Sequence, residues 1–408
     1  MSISEEVEVS EVISGLLAFI DAVVLPLEDK HADLLHDPRN LYDARGALAP
    51  AATALVREVR MASAAAGYYG MFCPAEIGGG GLGSRAMLEA YESVYRRYGP
   101  ARLLVEAVIA HWAFGPSFLC AGFSPGVRET LLADIMAGRV SMCFGMSEPN
   151  AGSDAWMMST HAVKDGDDWV ISGTKQWTSN APYADYCYLF AVTNGVIHRE
   201  RKGGVSCFLV PMAAPGVSVD SVIRMFGHIG GNEAIVSFVD VRVPAANLIG
   251  AEGEGFKLAM GGVSLGRVFN SGRALGLSRW ALERAVDYAK TRRTFGRPIA
   301  EYQGVSFKLA ESAMDIYAAK GAARDLAERL DRGERPIREL AMSKAICAEA
   351  FLRVADRCMQ VCGAMGLTNE LEMYKAWHSA KAMQLADGSA EILRETIAKR
   401  LFRGEVNF

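Results

Sequence analysis

The sequence has no uninterrupted apolar run of the ~20 residues that a membrane-spanning helix requires. The best candidate, from Val12 to Leu27, contains Asp21 and Pro26, and its spacing predicts an amphipathic helix. The N-terminus also lacks the basic start of a signal peptide. We therefore expect no membrane association and a cytoplasmic location.

An excess of charge of either sign is also missing. Lys and Arg number 43 against 47 Asp and Glu, which gives a net charge of −4. This balance gives no global electrostatic reason to bind nucleic acid. Half of the 408 residues are hydrophobic, which excludes a mainly disordered chain and allows two to four domains of roughly 100–200 residues.

The chain lacks a C-x-x-C motif, although it has eight cysteines. Cys358 and Cys362 lie four residues apart and could share a helix face, but each lies in an apolar run and no second cluster accompanies them. We therefore expect core cysteines, without a disulfide framework and without a metal site.

Hydrophobic spacing divides the chain into three parts. Helical periodicity holds to about residue 140, short β-rich runs follow from Cys143 to Leu248, and helical spacing returns after Gly255. Turn residues separate the β-rich runs at short intervals, which favours antiparallel strands in a small barrel or sandwich. The helical segments predicted most clearly are Arg85–Tyr98, Leu103–Cys120, Phe256–Arg292, Gln303–Leu330, Pro336–Gly363 and Ala390–Phe402.

A glycine-rich segment, Gly78 to Gly83, formally fits the G-x-G-x-x-G pattern of dinucleotide-binding folds. That motif requires a strand before it and a strand–helix–strand unit around it, and neither is predicted here. A glycine turn before the helix that begins near Arg85 is the better interpretation.

Two segments in the β-rich part contain polar side chains that suit ligand binding. Residues 143–154 cluster hydroxyl and polar groups beside an apolar strand, and residues 173–180 place Trp177 before small hydroxyl residues. Such segments can present N–H groups to a phosphate, or stack and hydrogen-bond a planar ring. A polar turn and a core tryptophan explain the same residues when each segment is taken alone.

Two further segments have an ordinary and a functional interpretation. Three arginines between Thr291 and Pro298 suit either phosphate binding or the dipole of a helix C-terminus. Asp387 lies between two predicted helices, before a glycine and the predicted N-cap Ser389. It is a turn residue unless it faces a pocket, where it could act as a base.

Taken together, the motifs and their order resemble the acyl-CoA dehydrogenase family of flavoenzymes, from about Ser10 to Phe402. The matching segments are residues 74–79, 146–154, 173–180, 291–296 and 360–364. The resemblance implies a mainly α fold with a central antiparallel β-barrel: an N-terminal helical domain (1–142), a middle β-barrel (143–250) and a C-terminal four-helix bundle (251–408).

The resemblance implies a bound FAD between the barrel and the bundle. Its ring would be lined by Phe144, Met146, Ser147, Trp177 and Ser179. Ser153 would lie near the FAD pyrophosphate and the pantetheine arm of the substrate. The other matching cofactor positions are Gln303, Gln360, Gly363 and Ser389, with Arg292, Thr294 and Phe295 reaching FAD across a subunit interface. This implies at least a dimer, and the family is usually tetrameric.

The family normally uses a Glu in a Tyr-Glu-Gly-Thr turn as its base, and here that turn reads Ala386-Asp-Gly-Ser389. Some relatives place the Glu on the long helix instead, where this chain has Gly266. The resemblance therefore implies that Asp387 is the catalytic base, with Arg267, Ala386 and Gly388 at substrate positions. An Ala-Asp-Gly turn resembles one subgroup of the family and, in its Asp, the related nitroalkane oxidases.

The implied activity is dehydrogenation of an acyl thioester to the trans-2-enoyl product, with electrons passed to an electron-transfer flavoprotein. The thioester could be on CoA or on an acyl-carrier protein. A flavin oxidase or monooxygenase acting on a nitroalkane or another carbon acid, and a non-catalytic scaffold, remain as alternatives. Residues 198–202 read as a charged hairpin tip that is either solvated or contacts a nucleotide head group or carrier protein.

Overall fold

Helices occupy both ends of the chain and strands its middle in a computed structural model, which describes residues 3–100, 102–225 and 230–407. The helices are α1 (Ile3–Phe19), α2 (Leu25–Lys30), α3 (Ala32–Leu35), α4 (Pro38–Leu41), α5 (Pro50–Ala65), α6 (Ser84–Tyr98), α7 (Leu103–Glu106), α8 (Pro125–Met136), α9 (Gly195–Arg199), α10 (Gly255–Thr291), α11 (Gln303–Asp331), α12 (Ile337–Cys362), α13 (Met373–Met383) and α14 (Ala390–Leu401). The strands are β1 (Met142–Gly145), β2 (His161–Asp165), β3 (Asp168–Ser179), β4 (Tyr186–Val192), β5 (Val205–Pro211), β6 (Val217–Val222), β7 (Glu233–Pro244), β8 (Leu248–Ile249), β9 (Arg293–Thr294) and β10 (Arg297–Pro298).

The contacts between residues divide the chain into two compact units. The helical unit comprises Met1–Leu17, Gly83–Arg102 and Val263–Phe408, and the sheet unit comprises Ala18–Leu82 and Leu103–Gly262. The three-domain division at residues 142 and 250 stays a prediction.

The sheet unit contains an eight-stranded sheet in the order β6-β7-β3-β2-β4-β5-β8, with β1 paired to β4. Most neighbours are antiparallel, as predicted, but β1 and β2 both run parallel to β4. The predicted closed barrel is not confirmed, because the path through the described strands is open and ends in β6 and β8.

Strand β4 separates two hydrophobic clusters in the sheet unit. Tyr188 and Phe190 pack into one cluster, whereas Cys187, Leu189 and Ala191 pack into the other. Successive side chains of a strand point to opposite faces, so a strand covered on both sides is apolar throughout. This explains why β4 reads as a continuous apolar run.

Helix α12 is extensively buried in the helical unit, and it packs on α11, α13 and α14. Its buried positions are largely alanines and cysteines, with Phe351 the largest apolar side chain. Small residues let neighbouring helices approach closely. All eight cysteines are free and buried, which confirms their prediction as core residues.

Among three further predicted segments, one needs correction and two are confirmed. The helix predicted from Leu103 to Cys120 is only the single turn α7, followed by a loop and the 3₁₀ turn Phe118–Gly122. Residues 198–202 lie at a hairpin tip, as predicted, because β4 and β5 pair antiparallel with Val192 opposite Val205. The tip contains the short helix α9, which Asn194 caps by accepting hydrogen bonds from the N–H groups of Val196 and Ile197. The predicted glycine turn Gly78–Gly83 is also confirmed, since it follows a 3₁₀ turn rather than a strand and leads into α6.

One helical stretch among the described residues, Val7–Lys30, is long and apolar enough to cross a membrane by length and composition alone, with a mean hydropathy of 1.8. It includes the π-helical turn Ile20–Val24 and Pro26 in the first turn of α2. Core helices of soluble proteins meet the same criterion, so the absence of membrane association stays a prediction.

Asp331, the last residue of α11, caps the first turn of α6. Its carboxylate accepts hydrogen bonds from the N–H groups of Ser84 (2.6 Å) and Arg85 (3.0 Å). The N-cap position itself is Gly83, which has no side chain to do so.

We expect Asp331→Ala to lower the free energy of unfolding by about 1–2 kcal/mol, because two N–H groups at the start of α6 lose their acceptor. Urea unfolding at neutral pH measures this. Asp325→Ala is the matched control, because Asp325 only pairs with Arg329 one turn later, an exposed contact worth ~0.3–0.5 kcal/mol. Equal losses in the two variants would contradict the capping role.

Candidate functional site

The two polar segments singled out in the sequence lie side by side in the sheet unit. Residues after β1 pair with β3, since the N–H of Gln176 donates to the carbonyl of Ser147 at 2.9 Å. Asn180, at the other end of this stretch, donates from its amide to the carbonyl of Met142 at 2.7 Å. The strand with Phe144 and Met146 is thereby fixed against the strand with Trp177 and Ser179.

A buried ion pair holds the loop that follows β1. Lys175, fully buried, donates to the carboxylate of Glu148 at 2.8 Å and to the carbonyl of Met146 at 3.1 Å. The same carboxylate accepts from the N–H and hydroxyl of Ser159, both at 2.7 Å, and from the N–H of Thr160 at 2.9 Å. Residues 146–160 are therefore a loop closed at both ends on one carboxylate.

The pKa of Glu148 is lowered to about 2. Burial alone would raise it, but the Lys175 ammonium and the donors from Ser159 and Thr160 favour the charged form more strongly. The carboxylate is therefore ionised at any working pH and remains an acceptor.

Both the backbone conformation and the solvent exposure of Trp177 are unusual for a large aromatic residue. Its φ is +61°, in the left-handed region, and half of the residue is exposed. It lies in the irregular part of the β3–β7 pairing between Lys175 and Thr178. The buried hydroxyl of Thr178 has no hydrogen-bond partner among the described residues. Aromatic residues with positive φ are rare and mark strained positions that are often functional.

Ser153 lies apart from these residues, exposed in the loop between β1 and β2. The neighbouring Asp154 pairs with Arg201 at 2.8 Å, just after α9. Trp156 stacks on Phe256 with ring centroids 4.2 Å apart. The loop that carries Ser153 is thus supported on both sides.

In the helical unit, the turn between α13 and α14 carries Ala386, Asp387, Gly388 and Ser389. Asp387 and Gly388 both have left-handed φ, +53° and +96°. The hydroxyl of Ser389 accepts from the N–H of Ile392 at 3.4 Å, which confirms the predicted N-cap of α14.

Two cationic side chains hold the carbonyls of this turn. Arg267, on α10, donates from Nε to the carbonyl of Asp387 at 3.2 Å. Lys344, on α12 and only 1% exposed, donates to the carbonyl of Gly388 at 2.9 Å. The N–H groups of Asp387 and Gly388 find no acceptor among residues 3–100, 102–225 and 230–407.

Asn270 holds the side chain of the same turn. Its amide donates to Oδ2 of Asp387 at 2.6 Å, and Asn270 is only 8% exposed. Neither Arg267 nor Lys344 comes within ion-pair distance of that carboxylate, so their charges act on it from further away. The structure therefore brings Asp387 together with Arg267, as predicted, and adds Asn270 and Lys344.

Burial raises the pKa of Asp387, and the charges of Lys344 and Arg267 and the Asn270 hydrogen bond oppose that rise without cancelling it. Burial also lowers the pKa of Lys344, to about 8, and the Asp387 carboxylate offsets this only in part. A raised carboxyl pKa places a base closer to the working pH, which suits proton abstraction.

The remaining predicted cofactor residues of the helical unit lie on three other segments of the chain. Arg292, Thr294 and Phe295 belong to the hairpin of β9 and β10, where Phe295 is 93% exposed at a φ of +48°. Their companions Gln303, at the start of α11, and Gln360 and Gly363, at the end of α12, are also exposed. Among the residues described, no hydrogen bond or ion pair connects any of them to Asp387.

Sequence reasoning missed Asn270, Lys344 and Lys175. A pattern could have revealed Lys344, because the positions three and four residues away on either side, Leu340, Ala341, Cys347 and Ala348, are all apolar. A lysine on an apolar helix face needs a buried acceptor. Asn270 lies three residues after Arg267, on the same side of the helix, but nothing in its spacing marks its partner.

Comparison with known proteins gives consistent matches. A family model described as "Acyl-CoA dehydrogenase, middle domain" matches residues 143–241, and one described as "Acyl-CoA dehydrogenase, C-terminal domain" matches residues 253–402. The protein named "Probable acyl-CoA dehydrogenase YngJ" of Bacillus subtilis (strain 168) is 34% identical over 83% of this chain and 87% of its own length.

Two further proteins are similar along most of the chain. The mitochondrial "Short-chain specific acyl-CoA dehydrogenase" of Homo sapiens is 34% identical over 83% of this chain and 80% of its own length. The crystal structure of a "probable acyl CoA dehydrogenase" from Mycobacterium abscessus covers 96% of this chain and 98% of its own, with a TM-score of 0.83 and 28% identity.

We expect Glu148→Gln and Lys175→Met each to lower the free energy of unfolding by about 3–5 kcal/mol, because each leaves its partner buried and unpaired. The double variant should lose less than the sum of the two. Glu200→Gln, which breaks the exposed pair with Lys202, is the control and should change little. Additive losses in the double variant would refute the pairing.

The stability that Glu148 contributes is present above pH 4.5 and is lost as the pH falls toward 2, which acid titration of unfolding measures.

We expect Lys344 to add roughly 3 kcal/mol to the free energy of unfolding between pH 8 and pH 10.5, besides the changes that other titrating groups cause. The lysine is a weaker base in the folded than in the unfolded state, so the unfolded state binds the extra proton in this range. This contribution is the difference between the wild type and Lys344→Met, because Lys175, whose pKa is also lowered to about 8, and the buried cysteines titrate in this range in both proteins. Lys399→Met, at an exposed position on α14, should show the wild-type change. Urea unfolding at the two pH values measures the difference, and the same change in Lys344→Met as in the wild type would show that Lys344 is not a buried cation.

Proposed function

The chain belongs to the acyl-CoA dehydrogenase family, and we propose that it oxidises an acyl thioester to the trans-2-enoyl thioester with Asp387 as the base. Membership of this family makes it an FAD-dependent oxidoreductase. The observation that carries the choice of base is the turn itself. Asp387 is a partly buried carboxylate whose main chain is held by two cations, in the position where the resemblance requires a base.

The proposed reaction begins at the α-carbon of the acyl group, a weak carbon acid. Asp387 takes the α-proton, and the electron pair of the C–H bond delocalises onto the thioester oxygen. That step requires donors at the oxygen. The N–H of Asp387 is available for this role, because the described residues offer it no acceptor while the carbonyls of the turn are held by Arg267 and Lys344.

The residues of the sheet unit fit an FAD ring. Trp177 presents a half-exposed aromatic face, and the neighbouring Thr178 hydroxyl is buried without a partner. Phe144, Met146, Ser147 and Ser179 lie on the two segments that the buried Lys175 holds together. When bound, FAD supplies the acceptor for the β-hydrogen, which leaves as hydride. The protein's own part is to orient the acyl chain and exclude water.

The exposed hairpin residues support an oligomer. Arg292 and Phe295 are exposed, and Phe295 is held with a positive φ, as suits residues that complete a site in a neighbouring subunit. We infer at least a dimer, and a tetramer by resemblance to the family. An electron-transfer flavoprotein is the proposed electron acceptor on the same ground.

Two observations bear on the size of the acyl group. The relative named "Short-chain specific acyl-CoA dehydrogenase" supports a short acyl-CoA. Ala386 replaces the usual Tyr and is exposed, and Asp is one methylene shorter than Glu, so we infer room for a bulky, branched or oxygenated acyl group beside the base. An acyl-carrier protein is the alternative to CoA as the carrier of the acyl group.

We expect Asp387→Asn to lower the rate of flavin reduction by acyl-CoA about 10²–10⁴-fold, because the amide cannot accept the α-proton. The measurement is anaerobic mixing of the FAD-loaded protein with straight and branched acyl-CoAs while the visible flavin absorbance is followed. Glu391→Gln, an exposed carboxylate on the next helix, is the control and should reduce at the unmodified rate.

The panel also separates the alternatives. A clear preference for short straight-chain acyl-CoAs would overturn the bulky-acyl inference but not the base. If no acyl-CoA bleaches the flavin, an acyl-carrier substrate or the nitroalkane oxidase alternative gains support. Rapid reoxidation of the reduced flavin by air favours the oxidase.

A further inference from the structure

One side chain alone donates a hydrogen bond to the carboxylate of Asp387 among the residues that the structure describes. It is Asn270, on α10, whose Nδ2 lies 2.6 Å from Oδ2. A carboxylate only accepts hydrogen bonds, so the NH₂ end of the amide must face it. The other oxygen, Oδ1, accepts nothing from these residues.

We propose that Asn270 is a positioning residue for the reaction: it holds Oδ2 of Asp387 so that Oδ1 is the oxygen that takes the α-proton. This inference rests on the proposed role of Asp387 as the base. In the step, the α C–H bond breaks, an O–H bond forms at Oδ1, and the electron pair stays on the substrate as its enolate. The hydrogen bond from Asn270 to Oδ2 persists throughout, because Oδ2 is an acceptor in both the ionised and the protonated carboxyl.

The main-chain contacts cannot perform this task. Arg267 and Lys344 hold the carbonyls of Asp387 and Gly388, which fixes the turn but leaves the carboxylate free to rotate. The terminal torsion of an Asp side chain is broad, so a carboxylate without a partner samples many orientations. Asn270 is itself buried, and its amide loses its only hydrogen bond to a described side chain if the carboxylate turns away. The pair therefore restricts both partners.

A neutral donor also preserves the base. The charged groups that act on Asp387 are Arg267 from α10 and Lys344 from α12. The flanking helices add Lys381 on α13 and Glu391 on α14, both exposed. A third cation in direct contact would weaken the base further, whereas an amide adds one hydrogen bond and no charge.

Removal of the amide should act on both ionisation and orientation. Asn270→Leu takes away a donor to the charged form, and Asn270→Asp adds a like charge within hydrogen-bond distance. Both changes should move the ionisation of Asp387 to higher pH, the first by about one unit and the second by more. In this proposal Asn270 acts on the carboxylate and not on the substrate, so KM should stay within about twofold while kcat falls about 10–100-fold.

The experiment uses the FAD-loaded full chain and two readouts. The infrared C=O stretch of the protonated carboxyl is followed against pH and is assigned to Asp387 by its absence in Asp387→Asn. The pH profile of kcat with the best acyl-CoA of the panel is measured in parallel. The control is Ser278→Ala, which removes a different buried polar group from α10, a hydroxyl, and should change neither.

Each result of this experiment either supports or overturns the proposal. An upward shift of the infrared midpoint with a matching shift of the acid limb of kcat supports the proposal. A fall in kcat with an unmoved midpoint shows a merely structural role and overturns it, as does a wild-type profile in both variants. If Asn270→Leu does not fold, Asn270→Asp, of equal size, carries the test. A shifted midpoint in a protein that oxidises no acyl thioester, on CoA or on a carrier protein, refutes the proposed function while retaining the contact.

Discussion

Two cations, the buried Lys344 and the half-buried Arg267, hold two successive main-chain carbonyls, and the candidate active turn depends on them. Asp387 and Gly388 both have a positive φ, which costs free energy for a residue with a side chain. Arg267 and Lys344 offset that cost by donating to the carbonyls of the two residues. With the carbonyls held on one side, the N–H groups are left for another partner, and the carboxylate of Asp387 lies at a fixed point.

Packing in the helical unit makes this arrangement feasible. A lysine reaches a turn from inside a helix only where the surrounding helix surface is made of small side chains. Helix α12 provides them, with Ala341, Cys347 and Ala348 around Lys344. The same close packing removes water from Asp387 and raises its pKa. The small side chains in the core of the helical unit therefore also determine the chemical environment of the turn.

The sequence predicted the helical–β–helical order, the long helices near the C-terminus and the position of Asp387, because each has a local pattern of spacing or turn residues. It could not predict that β1 pairs parallel with β4, since pairing between distant strands leaves no local pattern. The role of Asn270 could not be predicted for the same reason: its partner Asp387 lies 117 residues away in the sequence. The exposed Trp177 was predicted as a site residue by resemblance, whereas its positive φ is visible only in the structure.

Both units use a buried lysine to hold a main-chain carbonyl in a segment with candidate functional residues: Lys175 at Met146 and Lys344 at Gly388. The two differ in their counter-charge. Lys175 has the Glu148 carboxylate at 2.8 Å, whereas Lys344 has no carboxylate within ion-pair distance among the described residues and depends on Asp387 from further away. When Asp387 takes up a proton, Lys344 loses that counter-charge. The lysine therefore favours the ionised base and resists its protonation, and a substrate enolate that forms nearby restores the negative charge that the lysine has lost.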